Sequence, residues 1–326
     1  MAGPPVVRTS RADAPITRLV RAAFALVAVA ILGGCATVNT VAVKGVASTL
    51  SEGGGDTVTS HNDPELIAGA LPFALMLHES LLASVPDHEP LLTTTCSLYT
   101  QYAFGFVAAD AEALQRDDYE RSKQLSDRAF KLAERGKNYC WRGLEARFRG
   151  ISQALRTDPA RALARTKPEH VKLLYWSAAS LGAAISAGGL DHPELLIDWP
   201  IVRVLAERAL ALDETWNNGA IPELLITVES QGETLGGSEA RARQQFARAI
   251  DIQRGMSPGP FVALATGVVK SKQDRDEFAR LLQQALAIDP EKDPSHRLIT
   301  LLSQTRARLL LDRIDDLFID GTARPD

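Results

Sequence analysis

Beyond residue 64, apolar and polar positions follow each other with the period of amphipathic helices, and few stretches show the strict alternation of a half-buried strand. Strong helix formers fill these segments, while most prolines fall between them or at their first residues. The pattern predicts helices over 65–84, 91–115, 118–136, 139–157, 168–187, 200–212, 218–231, 238–254, 258–271 and 274–289, with a closing helix over 294–318. The sequence therefore predicts an all-α fold.

A short phrase repeats in the second half of the chain. Arg208-Ala209-Leu210 returns as Arg248-Ala249-Ile250 and as Gln284-Ala285-Leu286, with the alanines 40 and then 36 residues apart. This spacing is near the 34-residue period of a tetratricopeptide helix pair, in which a small residue lets neighbouring helices approach closely. We predict an irregular tetratricopeptide-like α-solenoid of stacked helix hairpins, with 294–318 as its C-terminal capping helix. A helical bundle without repeats is the alternative.

The first 34 residues have the pattern of an exported segment. Four arginines precede the apolar run from Ala22 to Ile31, and Leu32-Gly33-Gly34-Cys35 follows that run directly. The last four residues resemble the lipobox of bacterial lipoproteins, which implies cleavage before Cys35 and acylation of its thiol. An ordinary signal peptide or a membrane anchor is the alternative, although the run is shorter than the roughly 20 residues of a membrane span.

These patterns divide the chain into four parts. We predict a lipoprotein signal peptide over 1–34, a lipidated flexible tether over 35–64, a tetratricopeptide-like helical domain over 65–320 and a tail over 321–326. The tether is small, polar and glycine-rich, a composition typical of a flexible linker. Because Ala36 and not aspartate follows the cysteine, we expect the outer membrane as the site of the anchor, facing the periplasm.

The charge of the chain excludes one class of partner. The formal net charge is −4 for the whole chain, and it becomes −7 without residues 1–34, which hold four arginines and one aspartate. A mildly acidic protein has no electrostatic reason to bind nucleic acid.

Two cysteines remain after Cys35, and they flank a predicted helix hairpin. Cys96 and Cys140 can form a disulfide in an oxidising bacterial envelope. Free cysteine is also a common buried apolar residue, so both states stay open.

The chain lacks the motifs that carry catalysis. The sequence contains no Gly-x-Gly-x-x-Gly after a strand, no Walker loop, no Gly-x-Ser-x-Gly and no His-Glu-x-x-His. The six histidines are scattered, without the spacing of metal ligands. We therefore expect no enzyme activity, no cofactor and no metal site.

Aromatic residues are sparse but clustered. Tyr99, Tyr102 and Phe106 are spaced by three and four residues, so they share one helix face, and Tyr175 and Trp176 lie near the start of another helix. Plain core packing is the usual role of such residues. The sharper hypothesis is that these five residues line an apolar ligand cavity on the concave side of the stack.

Several segments, taken in order behind a lipobox, resemble one family. They are Tyr139-Cys140-Trp141-Arg142-Gly143-Leu144-Glu145, the run from Leu173 to Ile185, Gln304-Thr305-Arg306-Ala307-Arg308-Leu309-Leu310 and Ile314-Asp315-Asp316-Leu317-Phe318. The set is similar to the T component of tripartite ATP-independent periplasmic (TRAP) transporters, a family of tetratricopeptide-like lipoproteins. The resemblance covers residues 65–320. Leu181 departs from it, because an aromatic residue is often found before the glycine.

The resemblance implies an accessory transport role. It implies association with a periplasmic TRAP solute-binding protein, a homotrimer that encloses apolar cavities or a pore, and small hydrophobic organic acids as ligands. The alternative is a general tetratricopeptide scaffold lipoprotein in envelope assembly without a small ligand. An envelope hydrolase is a third hypothesis, disfavoured because no nucleophile, base and orienting group occur together.

Overall fold

A computed structural model describes residues 58–318, together with Gly3, and residues 58–318 lie in one compact unit. The predicted signal peptide over 1–34, Cys35 and the tail over 321–326 lie outside the described residues. So does most of the predicted tether.

The fold is built from helices, and no strand occurs between residues 58 and 318, so the all-α prediction is confirmed. Numbered in chain order, the α-helices are α1 (Pro64–Ser84), α2 (Glu89–Tyr102), α3 (Ala109–Leu114), α4 (Tyr119–Arg147), α5 (Ile151–Thr157), α6 (Pro159–Leu163), α7 (Val171–Gly188), α8 (Trp199–Leu212), α9 (Trp216–Glu229), α10 (Glu239–Ile252), α11 (Gly259–Leu264), α12 (Arg275–Leu286), α13 (Arg297–Asp312) and α14 (Ile314–Leu317). Two π-helical segments, Ala103–Ala108 and Ala265–Val269, continue α2 and α11.

The prediction of separate helices over 118–136 and 139–157 is wrong. Helix α4 runs without a break to Arg147, and the chain turns at Gly150, whose φ of +78° is a left-handed conformation that suits glycine. Gly136 lies inside the helix because α2 passes close to it: an added Cβ would be 3.0 Å from Cβ of Tyr99. The glycine therefore allows a close helix contact and does not end the helix.

The repeated alanines have the structural role that the sequence predicts. Ala209, Ala249 and Ala285 are fully buried near the ends of α8, α10 and α12. Each lies in one of the two large apolar clusters, the first formed around α7, α8 and α9 and the second around α10 to α13. The second half of the chain thus stacks helix after helix around small residues.

Helix α13 does more than cap the last helices of the stack. It packs on α12, but Leu298 is also buried in the apolar cluster of α1, α2 and α4. The Arg306 guanidinium donates to the Glu112 carboxylate through Nε at 2.9 Å and Nη2 at 3.3 Å, and Nη1 of Arg313 donates to the Glu112 carbonyl at 2.6 Å. The two ends of the stack therefore meet, which closes the array.

The folded unit begins before the predicted end of the tether at residue 64. Val58 packs against the apolar cluster of α1, α2 and α4, and the Ser60 carbonyl accepts a hydrogen bond from Nη1 of Arg297 at 3.2 Å. Asp63 then caps α1, since its Oδ1 accepts from the Leu66 amide at 2.9 Å. Residues 58–64 are thus held by the helical domain.

Helix α1 has two apolar faces. It is the one helix between residues 58 and 318 that is long and apolar enough to cross a membrane by length and composition. One face is buried in the domain through Ile67, Leu71, Leu75, His78 and Leu82. The other face is open to solvent, with Leu66, Phe73 and Met76 exposed by 56%, 73% and 62%. We call this second side the outer face of α1; its exposed residues from Leu66 to Ser84 carry no charge.

Candidate functional site

Helix α7 lies at the centre of the array, and one of its faces stays uncovered. The opposite face is fully buried by Leu174, Ala178 and Leu181. Accessible positions recur every three or four residues along the helix, at Tyr175, Trp176, Ala179, Gly182, Ala183, Ser186 and Ala187. At 1.5 Å per residue, the face from Trp176 to Ala187 is about 16 Å long. We use the name inner channel for the space that this face would border in the function proposed below.

A cavity of about 310 Å³ lies at the C-terminal end of this face. Alanine and serine side chains form most of its wall, which is completed by Phe104, Glu112, Gln115 and Arg306; the small residues are Ala103, Ala108, Ala109, Ala111, Ser122, Ser126, Ala129, Ala133, Ala183, Ser186 and Ala187. The volume falls within the range of small-molecule sites. The space exists because the side chains between α4, α7 and the π-helical segment Ala103–Ala108 are too small to fill it.

The charged groups of the cavity are the ion pair that closes the array. Arg306 is bound to Glu112 through Nε and Nη2, which leaves its third guanidinium nitrogen, Nη1, outside that pair. The guanidinium carbon lies 6.0 Å from the ring centroid of Phe104. One wall of the cavity therefore presents this ion pair, in which the Glu112 carboxylate balances the charge of Arg306, and the rest of it is mainly apolar.

An aromatic group lies at the other end of the accessible face. The Tyr175 ring is 5.0 Å from that of Trp176 and 4.8 Å from that of Trp216, measured between centroids. Trp216 precedes Asn217, Asn218 and Gly219, which all have positive φ. Asparagine and glycine tolerate the left-handed region best, so this triplet turns the chain sharply. The prediction of a helix from residue 218 missed this turn, although Asn-Asn-Gly is the signal for it.

A buried carboxyl group accompanies these aromatic rings. Oε2 of Glu223 accepts a hydrogen bond from Nε2 of Gln253 at 3.1 Å. Burial raises the pKa of Glu223 and also that of Tyr175. Both side chains lie deep in the protein and yet stay partly accessible. Neither Glu223 nor Gln253 was identified from the sequence, because no pattern in the chain marks them.

The structure divides the five aromatic residues that were predicted to line one cavity. Tyr99, Tyr102 and Phe106 lie in the apolar cluster of α1, α2 and α4, whereas Tyr175 and Trp176 lie at the inner channel. The 310 Å³ cavity is lined instead by Ala103 and Phe104, which lie between Tyr102 and Phe106 in the chain.

Tyr99 takes part in a polar cluster around Glu79. Oε1 of Glu79 accepts hydrogen bonds from the Tyr99 hydroxyl at 2.7 Å and the Tyr139 hydroxyl at 2.8 Å, while Arg135 binds both carboxylate oxygens. Burial alone would raise the pKa of Glu79, but these donors outweigh it and hold the pKa below its ordinary value. The cluster ties α1 to α2 and α4. Tyr102 is bound similarly, since Nη2 of Arg128 donates to its hydroxyl at 2.9 Å.

The two cysteines lie together in the structure as a disulfide. Their sulfur atoms are 2.10 Å apart and their Cα atoms 5.3 Å apart. The bond joins α2 to α4 one helical turn beyond Gly136, at the closest approach of the two helices. Among residues 58–318, no group of three or more histidine, cysteine, aspartate or glutamate side chains is placed to hold a metal ion.

Comparison with known proteins connects this architecture to a family. A family model described as TRAP transporter T-component matches residues 60–318, a range that includes every helix from α1 to α14. An uncharacterized protein from Treponema pallidum (strain Nichols) is 30% identical over 268 residues, which are 80% of this chain and 82% of the relative.

Proposed function

The chain belongs to the TRAP transporter T-component family, and from this premise we propose that it holds a small hydrophobic organic acid in the inner channel and docks a periplasmic solute-binding protein. The family is an accessory component of TRAP transporters and not an enzyme family. The observation that carries the proposal is the accessible face of α7, which leads from the aromatic group to the 310 Å³ cavity. In this mainly apolar cavity, Nη1 of Arg306 lies outside the pair with Glu112 and would bind the carboxylate of an apolar molecule.

An exposed apolar loop supports the docking part of the proposal. Between α7 and α8, Leu190 is 97% exposed, Ile197 78% and Leu196 42%. The loop follows Ala187, which lines the cavity. A solute-binding protein seated on this loop would therefore stand beside the cavity. Exposed apolar patches of this kind mark protein interaction sites.

The outer face of α1 supports self-association. Five turns of helix carry apolar or small residues without a charge, and their burial against equivalent helices would remove Phe73 and Met76 from water. We propose that this face forms the contacts of a homotrimer.

The anchor is proposed from the sequence. Acylation of Cys35 would attach the protein to the membrane, with the outer membrane favoured, and the helical domain would face the periplasm. The family supports a periplasmic or membrane-associated location. Replacing Cys35→Ser should release the protein from membranes without changing its helical content. Unchanged membrane attachment of this variant would exclude a lipid anchor.

Native mass spectrometry of the acyl-free protein, purified with and without its transporter's solute-binding protein, tests the main proposal. We expect a co-purified small molecule and a complex of the two proteins. Ala183→Trp, which fills the cavity, should lose the small molecule, whereas Ala240→Trp on the exposed side of α10 should keep it. Ile197→Glu should weaken the complex. A protein that carries no small molecule but still binds partners would support the alternative, a scaffold lipoprotein of envelope assembly.

The proposed homotrimer has its own test. Sedimentation should show that Phe73→Glu combined with Met76→Glu yields monomers. The matched control is Tyr119→Glu, since Tyr119 is 65% exposed on α4, outside this face. Equal trimer content in both variants would exclude the outer face of α1 as the interface.

A further inference from the structure

We propose that the surface around α5 and α6 docks an acidic segment of a partner protein, one that carries an apolar side chain between its carboxylates. This surface consists of a groove beside α6 and of the exposed side chains of Arg147, Arg149, Arg161, Arg165 and Lys167, and we call it the basic end. The inference goes beyond the proposed function, because neither the 310 Å³ cavity nor the loop between α7 and α8 contributes to this surface.

The basic end is positively charged in a chain that is acidic as a whole. Residues 142–172 hold eight arginine or lysine residues and three aspartate or glutamate residues, which gives a local net charge of +5, whereas the whole chain carries −4. In the part of the chain that the structure describes, no salt bridge joins Arg149, Arg161 or Arg165 to an acidic side chain. These guanidinium groups are therefore available for carboxylates that a partner brings.

A buried pair of rings gathers the arginines at one place on the surface. The guanidinium carbon of Arg165 lies 5.1 Å from the ring centroid of Phe148, and its Nη2 donates to the Arg149 carbonyl at 3.4 Å. The Phe148 ring packs edge-on against His170, whose Nε2 lies 2.9 Å from Nε of Arg147. Two of the cations are thus positioned before a partner arrives, so less side-chain freedom is lost on binding.

The three acidic side chains of residues 142–172 do not cancel this charge. Glu145 accepts hydrogen bonds from two backbone amides at 2.7 and 2.8 Å, and Asp158 accepts one at 3.1 Å. Glu169 pairs with Arg147 at 3.2 Å, but both side chains are exposed, so solvent screens the pair. Two of the acids therefore stabilise the turns that carry the arginines, and the local charge stays positive.

A surface groove of about 370 Å³ lies beside these cations, between the α6 segment and α8. It is lined by Pro159, Ala160, Leu163 and Ala164 of the α6 segment and by Val204, Glu207 and Arg208 of α8. Arg161 and Arg165 directly follow the groove residues Ala160 and Ala164 in the chain. An apolar side chain in the groove, with carboxylates bound to these arginines, has the arrangement of a protein contact with an apolar centre and a polar rim.

Two observations favour a protein over an anionic membrane as the partner. The large apolar side chains that the structure shows as exposed all lie outside residues 142–172, so none would enter a bilayer here. The basic end also lies far from the start of the folded unit. Val58 packs in the same cluster as Leu125, and Arg147 is 22 residues further along α4, about 33 Å at 1.5 Å per residue. A partner on the side away from the predicted tether can therefore reach this surface.

Fluorescence anisotropy with two labelled peptides tests this inference. In the first peptide leucines are flanked by glutamates, and in the second lysine replaces every glutamate. We expect the acyl-free protein to bind the glutamate peptide at least about tenfold more tightly than the lysine peptide, because like charges in contact are unfavourable. Added salt should weaken this binding, since it screens exposed charges. Equal binding of the two peptides would overturn the proposal.

Charge reversal locates the binding surface. Arg149→Glu combined with Arg161→Glu should weaken binding of the glutamate peptide at least about tenfold. Both side chains are exposed, so helical content and the thermal midpoint should stay unchanged. Arg280→Glu combined with Arg308→Glu, the same charge change at exposed positions of α12 and α13, is the matched control and should bind normally. Ala164→Trp, which fills the groove, should also weaken binding. Equal binding by the two double variants would overturn the proposal.

Vesicles and sedimentation test the other possible occupants of the basic end. Binding to phosphatidylglycerol vesicles but not to the glutamate peptide, with loss in the variant that carries Arg149→Glu and Arg161→Glu, would overturn the proposal in favour of a lipid surface. A change of oligomeric state in that variant alone would overturn it in favour of a contact between copies of this chain. Neither result would affect the small molecule that we expect in the 310 Å³ cavity, so the proposed function is tested separately.

Discussion

The Arg306 guanidinium binds the Glu112 carboxylate across 194 residues of sequence, with Nε of Arg306 2.9 Å from Oε2 of Glu112. This pair joins α13 to α3 and completes the wall of the 310 Å³ cavity. The same ion pair therefore closes the array and completes the cavity, so a substitution in the pair tests both roles.

Removal of the Arg306 side chain should loosen the closure. About a third of each partner is exposed, so solvent screens the pair, and we expect Arg306→Ala to lower the free energy of unfolding by only about 1 kcal/mol. Amide hydrogen exchange in α13 should increase more visibly, because local opening needs less energy than global unfolding. Arg308→Ala, an exposed neighbour on the same helix, is the control. Equal exchange in the two variants would contradict a closing role.

The disulfide should contribute strongly to stability. Cys96 and Cys140 are separated by 44 residues, and a cross-link of this kind stabilises a protein by about 2–4 kcal/mol, in one account by restricting the unfolded chain. Replacement of both cysteines by alanine should lower the free energy of unfolding by that amount in urea titrations. Intact mass before and after reduction of the unmodified protein checks the bond itself. A mass that does not change on reduction would exclude the disulfide.

Two helical glycines should respond oppositely to alanine. An added Cβ at Gly136 would lie 3.0 Å from Cβ of Tyr99 and 3.2 Å from Oγ1 of Thr100, so Gly136→Ala should force α2 and α4 apart and cost about 1–3 kcal/mol. At Gly69 in α1 nothing lies within 4 Å, so Gly69→Ala should stabilise by about 0.5–1 kcal/mol through helix propensity. Urea unfolding of both variants measures the contrast, and destabilisation by Gly69→Ala would mean that this position is covered.

The Glu79 cluster should make stability depend on acid. Because the folded-state pKa of Glu79 lies below its ordinary value of 4.5, its contribution is present above pH 4.5 and is lost as the pH falls through the folded-state pKa. Glu79→Gln should therefore reduce stability near neutral pH and flatten its decline in acid. Urea titrations between neutral pH and pH 3 measure this slope. Glu65→Gln at the exposed start of α1 is the control, and parallel declines in both variants would contradict the assignment.

The sequence predicted most of the architecture because local signals carry it. The repeated Ala209, Ala249 and Ala285 marked the helix contacts, and α10 begins as predicted from 238–254, where the Ser238 hydroxyl caps the Arg241 amide. The break predicted after Gly136 was wrong because this glycine is needed for the close contact with α2, which lies about 36 residues earlier in the chain. No local pattern around Gly136 shows that contact.

The candidate site was only partly predictable, for the same reason. Tyr175 and Trp176 lie on the accessible face of α7, whereas the hydroxyl groups of Tyr99 and Tyr102 are bound to Glu79 and Arg128. Glu223 is distinguished by its burial and by its hydrogen bond to Gln253, and both arise only when the chain is folded. The cavity itself is lined mainly by alanine and serine. In a sequence rich in alanine, no pattern shows which of these small residues border an empty space.

The closure at Arg306 fixes the number of repeats. An open solenoid can gain or lose a helix pair at its end, because each repeat contacts only its neighbours. Here the two ends are bound to each other, since Leu298 belongs to the apolar cluster of α1, α2 and α4 and Arg297 binds the Ser60 carbonyl. One inserted helix would displace α13 by about 8–10 Å, the distance between packed helices, and would break every one of these contacts. Insertion or loss of one helix would therefore open the array, whereas changes in side chains and loops leave these contacts in place.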